Sequence, residues 1–380
     1  MKKRKMLFLT GTRADYGKIK SLMKKVEKSQ KWELHIFVTG MHMLRKHGLT
    51  WKEVEKDGFQ NIYKFVNQQE NSRMDVALGN TILGFSEYVH QLKPDLIVVY
   101  ADRLEALAGA IVGAFHNIKV AHIEGGEVSG SIDESIRHAI TKFSHIHFVS
   151  NEEAKKRVQQ LGESEDSIFV IGSPDVDIML SDELPSIDTV KNKYKINFNE
   201  YAILIYHPVT TEIEMLQNHI TAVVDAILES NDNYVVIYPN NDEGKSIILK
   251  EYQRLENHPK IKMFPSIRFE DFLTLLKESR FIIGNSSAGI REASVYGIPA
   301  IDIGTRQKNR YNSNILKNIF HVNEKKEEIL HVIQLAQKNK FEPTSYFGDG
   351  KSDERFIEIM EKELIDQIRI QKYFVDVDFR

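Results

Sequence analysis

The sequence predicts an α/β protein built from two doubly wound parallel sheets in succession. Short apolar runs rich in Val, Ile and Phe alternate with stretches of helical periodicity through most of the 380 residues. Such runs are typical of parallel strands that helices cover on both faces. The alternation pauses once, at the polar segment 181–200, which contains Pro185, and then resumes. One pause between two strand–helix series predicts two Rossmann-like domains that face each other across a cleft.

Each half of the chain supplies six predicted strands. In the first half they cover residues 6–10, 32–40, 95–100, 119–126, 145–150 and 168–174. In the second half they cover residues 201–208, 233–240, 261–266, 281–287, 299–304 and 319–323. A last helix is predicted over 353–371. We therefore expect an N-terminal domain at 1–185, a C-terminal domain at 186–365, and a tail at 366–380 that packs back on the first domain.

Composition excludes several classes of protein. The chain has no cysteine, which removes disulfides, thiolate catalysis and cysteine-ligated metal sites. The 51 basic and 54 acidic residues give a formal charge of −3, so no electrostatic footprint for nucleic acid or an anionic membrane is present. No apolar stretch approaches the roughly 20 residues of a membrane span. We expect a cytoplasmic protein that binds a small molecule.

Ligands of doubly wound sheets bind at the carboxyl ends of the strands, so the residues that follow each strand carry the argument. Arg13 and Lys18 follow the first strand, near a helix start that favours an anion. Contacts to a diphosphate and a helix cap with solvated cations are equally compatible with these residues. Asp102 and Arg103 follow the strand 95–100, where an aspartate is also a common helix N-cap.

The strand 119–126 leads into the most unusual segment of the first half, HIEGGEVSGSIDESIRHA. Glu124 ends the strand, while Glu134 and Arg137 fall on a predicted helix, where residues three apart share a face. With Asp102 these two glutamates make three acids near one predicted sheet edge. Clustered carboxylates shift each other's pKa and can supply both an acid and a base near neutral pH.

In the second half, His207 and Asn241 each follow a predicted strand. A histidine in this position can assist departure of a phosphate leaving group, although a structural histidine is the commoner case. Asn241 lies in a run of amide and acidic side chains suited to binding hydroxyls or a base. The same run is also typical of a turn.

The strongest local signal is GNSSAGIREAS after the strand that begins at residue 281. Ser286 and Ser287 precede a helix predicted to start near Gly289, and such a start is a ready anion site. Glu292 lies one turn further on, where its carboxylate can accept bonds from both hydroxyls of a ribose. Arg306 follows the next strand. This arrangement favours a nucleoside diphosphate over a plain capped helix.

The 14 histidines form no recognised metal-ligand spacing. We therefore expect no bound catalytic metal.

Five segments together resemble the hydrolysing UDP-N-acetylglucosamine 2-epimerases of sialic and related acid biosynthesis: GTRADYGK, ADRLEALA, HIEGGEVSGSIDESIRHA, YHPVTTE and GNSSAGIREAS. The similarity runs in order from about residue 4 to beyond residue 310. It implies a GT-B-like fold, no cofactor, a UDP-sugar substrate and UDP as product, and a homodimer or homotetramer. One departure is Tyr100-Ala101, where relatives often have His-Gly.

The resemblance also implies roles for individual residues. The residues that match catalytic positions are Asp102, Glu124, Glu134 and His207. Those that match substrate-binding positions are Arg13, Lys18, Arg103, Arg137, Ser286, Ser287, Glu292 and Arg306. Glu124 or Asp102 is expected to take the proton from C2 of the sugar, with Glu134 assisting hydration.

Three alternatives stay open on the sequence. Close relatives act on UDP-N,N′-diacetylbacillosamine, and no residue here is assigned to the C4 or C6 substituents that distinguish it. A GT-B glycosyltransferase would share the fold and the nucleotide site, but would not need three acids in the first half. A non-catalytic UDP-sugar sensor would bind without turnover.

Overall fold

The computed structural model describes residues 2–70, 72–129, 132–240, 242–362 and 364–376. The chain divides into two compact units. The first unit comprises Met1–Ser181 together with Gly348–Arg380, and the second comprises Asp182–Phe347.

A seven-stranded, wholly parallel sheet forms the centre of the first unit, in the order β3-β2-β1-β4-β5-β6-β7. Its strands are β1 Arg4–Thr10, β2 Trp32–Val38, β3 Ile62–Lys64, β4 Leu96–Tyr100, β5 Lys119–Ile123, β6 Ile146–Val149 and β7 Ile168–Val170. Its helices before the crossover are α1 Arg13–Lys28, α2 Trp51–Lys56, α3 Met74–Leu92, α4 Leu104–Phe115, α5 Ile132–Phe143, α6 Glu152–Gln160 and α7 Pro174–Met179.

Helix α1 shows how the sequence turns a strand into a helix at the sheet edge. Thr12 is the N-cap, and its hydroxyl accepts the backbone N–H of Asp15 at 3.1 Å. Basic side chains in the last turn complement the helix dipole. The apolar side of α1 is buried in the core cluster that also contains strands β1 and β2. This packing fixes the loop that carries Arg13 at the carboxyl end of β1.

The second unit repeats the architecture with six parallel strands in the order β10-β9-β8-β11-β12-β13. Its strands are β8 Ala202–Ile205, β9 Tyr234–Ile237, β10 Ile261–Phe264, β11 Ile282–Gly284, β12 Ala300–Ile303 and β13 Ile319–Val322. Its helices are α8 Ile187–Tyr194, α9 Leu216–Ser230, α10 Lys245–Tyr252, α11 Phe269–Lys277, α12 Glu292–Tyr296 and α13 Lys326–Ala336. The prediction of two doubly wound α/β domains is confirmed.

The end of the chain differs from the predicted boundaries. Instead of one helix over 353–371, the structure has α14 Ser352–Glu361 and α15 Leu364–Gln367, and both belong to the first unit. Phe356 and Met360 of α14 are fully or almost fully buried in the first unit's core cluster. The assignment of 348–365 to the second domain is therefore wrong. Helical periodicity does not reveal which core an apolar face will join.

The polar segment 181–200, at which the predicted strand–helix alternation pauses, is partly a helix of the second unit. Helix α8 begins after Ser186, whose hydroxyl accepts the N–H of Thr189, and its Val190 is completely buried. Tyr194 donates a 2.9 Å hydrogen bond to Asp271 of α11. Polar composition concealed this short helix, because one buried residue in eight gives little periodic signal.

Within the described residues, every helix is too short or too polar to cross a membrane.

Candidate active site

The carboxyl ends of β4 and β5 place two acids on neighbouring strands. Tyr100 lies beside Ile123 in the register of this strand pair, so Asp102 and Glu124 follow adjacent strand ends. Ala101 and Glu124 both have positive φ, 56° and 64°. Residues other than glycine adopt this conformation only where the surroundings impose it. The backbone therefore turns sharply just before Asp102 and at Glu124.

Two hydroxyls hold the carboxylate of Glu124. Tyr100 donates to Oε2 at 2.9 Å, and Ser173, after β7, donates to Oε1. Glu124 is only 5% exposed. Tyr100 thus contributes a direct contact to a predicted catalytic acid.

Asp102 is paired with Arg137 rather than capping a helix. The N-cap of α4 is Arg103, and the guanidinium of Arg137 on α5 donates to Asp102 Oδ2. Arg137 is 2% exposed and also donates to the carbonyl of Glu127 at 3.0 Å. A buried guanidinium needs such acceptors, so this pair fixes α5 against the end of β4.

Glu134 lies in the first turn of α5 on the same unit. Its Oε2 accepts the backbone N–H of Ser129 at 2.5 Å, and its Oε1 lies 3.9 Å from His138 Nε2. Unlike Glu124, it is substantially exposed, with 36% of its side-chain surface accessible. The residues Asp102, Glu124, Glu134 and Arg137 are called the acidic cluster below.

The fully buried His122 contacts the backbone just before Asp102 of the acidic cluster. The ring of His122 accepts from the Thr141 hydroxyl at Nδ1 (3.1 Å) and donates from Nε2 to the carbonyl of Ala101 (2.8 Å), the residue before Asp102. Burial lowers the pKa of His122 to about 3, so the ring is neutral at physiological pH.

Arg13 and Lys18 are not the solvated cations that one interpretation of the sequence proposed. Arg13 Nη2 lies 2.8 Å from Glu53 Oε1, and Lys18 Nζ lies 3.1 Å from Asp175 Oδ2. Both are mostly buried. Their role as diphosphate contacts stays a prediction.

The structure adds two acids that the sequence interpretation did not single out. Glu105 is 1% exposed, and among the described residues neither of its carboxylate oxygens has a hydrogen-bond partner. Arg103 Nε is its nearest cation, at 3.8 Å. Burial raises the pKa of Asp15 to about 6, and the charges of Glu105 and Asp102 add to this shift against the opposing charge of Arg103. Glu105 lies in the segment ADRLEALA, close to the end of a predicted strand. That position is the feature of the sequence from which it could have been identified.

In the second unit, Asn285 connects the predicted residues. Its amide donates to the carbonyl of His207 at 2.9 Å and its side-chain oxygen accepts the N–H of His207 at 2.7 Å. The carbonyl of Asn285 accepts from Arg306 at 3.1 Å. The ends of β8, β11 and β12 are thereby joined by one side chain and its backbone.

The hydrogen bonds of His207 define its tautomer. Nδ1 accepts the backbone N–H of Asn240 at 3.0 Å, so the proton of the neutral ring is on Nε2. Burial and, secondarily, the charge of Arg306 hold the pKa of His207 well below its usual value. The ring is a neutral hydrogen-bond donor at physiological pH.

The serine turn differs in detail from the predicted helix start. Ser287–Gly289 form a 3-10 turn capped by Ser286, whose hydroxyl accepts the N–H of Ala288 at 3.3 Å, and α12 begins only at Glu292. Gly284 is required before this turn, because it has φ +132° and a Cβ there would lie 1.9 Å from the carbonyl oxygen of Ile205.

Glu292 is 4% exposed at the start of α12. The residues His207, Asn285, Ser286, Glu292 and Arg306 are called the donor cluster below, although Glu292 itself is an acceptor. Asn241, the remaining predicted binding residue, lies outside the described residues.

Comparison with known proteins identifies the family. The family model for UDP-N-acetylglucosamine 2-epimerase matches residues 24–361. A UDP-N-acetylglucosamine 2-epimerase of Neisseria meningitidis serogroup B is 45% identical over 99% of this chain and 100% of the relative. A hydrolysing UDP-N,N′-diacetylbacillosamine 2-epimerase of Legionella pneumophila is 34% identical over 94% of this chain and 95% of the relative.

A solved structure has the same fold despite a more distant sequence. The crystal structure of a UDP-GlcNAc 2-epimerase from Neisseria meningitidis, bound to UDP-GlcNAc, has a TM-score of 0.80 at 18% identity and covers 94% of this chain and 99% of its own. This likeness confirms the GT-B-like arrangement of two α/β domains. With a family model spanning most of its length and relatives above 30% identity, the chain belongs to the UDP-N-acetylglucosamine 2-epimerase family.

Proposed function

We propose that this enzyme is a hydrolysing UDP-N-acetylglucosamine 2-epimerase, which converts UDP-N-acetylglucosamine and water into N-acetylmannosamine and UDP. The product is the amino sugar used to make sialic acids. The observation that carries the proposal is the acidic cluster, in which two carboxylates with different partners follow adjacent strand ends. The hydrolysing relative from Legionella pneumophila supports the same class of reaction.

The reaction has two stages. In the first, a base takes the proton from C2 while the C1–O bond to UDP breaks, which leaves a glycal with a C1–C2 double bond. In the second, water adds its hydroxyl to C1 and a proton is returned to C2 from the opposite face. The sum is one sugar nucleotide and one water consumed, and one free sugar and one UDP released.

Glu124 is the better candidate for the C2 base. The hydroxyls of Tyr100 and Ser173 donate to Glu124, whereas the charged guanidinium of Arg137 donates to Asp102. Protonation of Asp102 would remove the charge that pairs with Arg137 and leave a buried guanidinium uncompensated. We assign the initial proton abstraction to Glu124 and the positioning of α5 to the pair of Asp102 and Arg137. Exposed Glu134 is assigned to hydration.

His207 suits the leaving group. A neutral imidazole that donates from Nε2 can bond to the diphosphate as negative charge develops on it. Arg306 supplies charge to the same group, and the Ser286 turn supplies hydroxyl and backbone donors. Glu292 is assigned to the ribose hydroxyls.

Product analysis by NMR in D₂O tests the proposal. Incubation with UDP-N-acetylglucosamine alone, without an acceptor, is expected to release UDP and N-acetylmannosamine with deuterium at C2. Formation of UDP-N-acetylmannosamine without free sugar would instead indicate a non-hydrolysing epimerase.

A second substrate is favoured by the Legionella pneumophila relative, which is named for UDP-N,N′-diacetylbacillosamine. The same assay with that sugar nucleotide decides between them. If its kcat/KM exceeds that for UDP-N-acetylglucosamine by two orders of magnitude, the substrate assignment moves to the diacetylated sugar and the elimination chemistry stays.

A further inference from the structure

Three metal-type ligands converge in the second unit, apart from the donor cluster. One carboxylate oxygen each of Glu212 and Glu324 and one ring nitrogen of His219 all lie within 4.8 Å of one another. Glu212 lies in the 3-10 turn Thr210–Met215 after β8, His219 lies in the first turn of α9, and Glu324 follows β13. Three separate elements thus direct a ligand atom to one point.

Direct bonding does not account for this convergence. His219 Nδ1 is 3.6 Å from Glu324 Oε1, and the Tyr206 hydroxyl is 3.5 Å from the same oxygen. Both distances exceed the ordinary range of about 2.5–3.2 Å for hydrogen bonds. Yet the side chain of Glu324 is only 10% exposed and that of His219 19% exposed. Glu324 thus holds a negative charge in a shielded position beside the carboxylate of Glu212, where a cation would compensate both charges.

The surrounding backbone is shaped around the carboxylates. Gly304 has φ +79°, a backbone conformation that favours glycine, and the carboxylate of Glu324 lies against it, because a Cβ at this position would come within 1.9 Å of Glu324 Oε1. The next residue, Thr305, donates its hydroxyl to Glu212 Oε1 at 2.5 Å. Outer hydrogen bonds of this type orient the ligands of metal sites.

We propose that Glu212, His219 and Glu324 bind one divalent cation of the Mn²⁺ or Zn²⁺ class. Two carboxylates and a neutral imidazole offer O, O and N donors with a charge of −2, which such ions accept. Ligand atoms held about 2.1 Å from one ion lie roughly 3.0–3.6 Å apart, so the side chains need to close by little more than about 1 Å. Water completes the coordination.

The site is structural rather than catalytic. Glu212 is five residues after His207, and Thr305 directly precedes Arg306. An ion at this point ties together the loops after β8, β12 and β13, and so steadies two members of the donor cluster. It touches none of the residues assigned to the chemistry.

Metal binding to the full-length protein is the test. After treatment with EDTA and gel filtration, Mn²⁺ is titrated and free Mn²⁺ is followed by electron paramagnetic resonance. One Mn²⁺ per chain is expected in the wild type, displaceable by Zn²⁺. Glu324→Gln and Glu212→Gln are each expected to weaken binding at least 10-fold. Glu328→Gln on α13, whose carboxylate is paired with exposed Lys325, is the matched control and should bind normally.

The proposal fails if the wild type binds no Mn²⁺ or if both variants bind as tightly as the wild type. If Glu324→Gln does not fold, as judged by circular dichroism, Glu212→Gln in the surface turn decides the question. Because the readout is metal occupancy, failure here leaves the proposed sugar chemistry intact, and failure of that chemistry leaves this result intact.

Discussion

The two sheets carry different chemistry at their carboxyl ends, although their topology is nearly the same. In the first unit, hydroxyls hold the buried carboxylate of Glu124, and the buried guanidinium of Arg137 holds the partly buried Asp102. In the second, a neutral histidine is held by a backbone N–H and by the side chain of Asn285. A buried side chain stays charged only where its partners compensate the charge. A buried neutral donor needs only one well-placed acceptor.

This difference suggests a division of work between the units. Carboxylates with unequal partners suit proton transfer at carbon, which requires a base and an acid in defined protonation states. Neutral donors and one guanidinium suit a diphosphate, which requires stabilisation of charge rather than proton exchange. Variants of the acidic cluster should therefore change kcat, and variants of the donor cluster should change mainly the binding of UDP.

The largest effect is expected from Glu124→Gln. An amide can accept only one of the two hydrogen bonds from Tyr100 and Ser173, because its NH₂ group replaces the other oxygen, and it cannot take a proton, so kcat should fall by about 10²–10⁴-fold. The dissociation constant of UDP, measured by calorimetry, should change less than twofold. Glu152→Gln, an exposed acid at the start of α6, is the control. A rate for Glu124→Gln within 10-fold of wild type would contradict the assignment.

His207→Gln tests whether the division has an exception. His207 belongs to the donor cluster, yet a donor to the leaving group acts in the transition state, so kcat should fall by about 10²-fold. The exposed His331→Gln on α13 should leave kcat unchanged. The pKa of His207 is held well below its usual value, so His207 should not titrate near pH 6.5. The pH dependence of the rate around pH 6.5 should therefore have the same shape in the wild type and in His207→Gln. If His207→Gln weakens UDP binding and leaves kcat unchanged, His207 acts in binding like the rest of the donor cluster, and the assignment to the leaving group is wrong.

A third prediction concerns the pH dependence of the first unit. The folded pKa of His122 is about 3 and its ordinary value is 6.5, so below pH 6.5 the unfolded chain binds the extra proton. Its contribution to stability is complete above pH 6.5 and is lost as the pH falls towards 3. At pH 5 the loss is about 2 kcal/mol.

Urea unfolding of wild type and His122→Gln at pH 8 and pH 5 measures this contribution. The variant should be less stable at pH 8, because Gln replaces a ring that bonds both Thr141 and Ala101. The difference between the two proteins should shrink by about 2 kcal/mol at pH 5. An unchanged difference would mean that His122 is not the buried neutral ring described above.

The smallest effect is expected from Glu292→Gln. A charged acceptor binds hydroxyl donors more strongly than an amide by about 1 kcal/mol, so the UDP dissociation constant should rise roughly 5- to 10-fold. The value of kcat at saturating substrate should stay near that of wild type. Glu327→Gln, an exposed acid on α13, provides the comparison. A fall in kcat with unchanged UDP affinity would place Glu292 with the acidic cluster instead.

Much of the fold was predictable because it is local in origin. Apolar runs such as 96–100 and 202–205 are buried strands, and the polar residues that follow them lie at the carboxyl edges. The predicted domain boundary at residue 365 failed for a different reason, since the second unit ends at Phe347. Helix α14 is amphipathic in either domain, and only the fit of Phe356 and Met360 into the first core decides where it packs.

The sequence likewise predicted residues of the candidate site but not the contacts between them. Strand-end position and motif resemblance identified Asp102, Glu124 and His207. The partners that set their properties, such as Arg137 for Asp102 and Ser173 for Glu124, are 35 and 49 residues away in the chain. No local pattern links such residues, because their distance is fixed by the crossover helices between the strands.

The sequence by itself determined the class of fold and the residue types that stand at each strand end, since both follow from hydrophobic periodicity and from short turns next to it. The tertiary structure decided which acid faces a cation and which faces a hydroxyl, and which nitrogen of each buried imidazole carries the proton. It also brought Glu212, His219 and Glu324 together. Those properties depend on burial and on distances between remote segments, which exist only once each sheet is packed with its own helices.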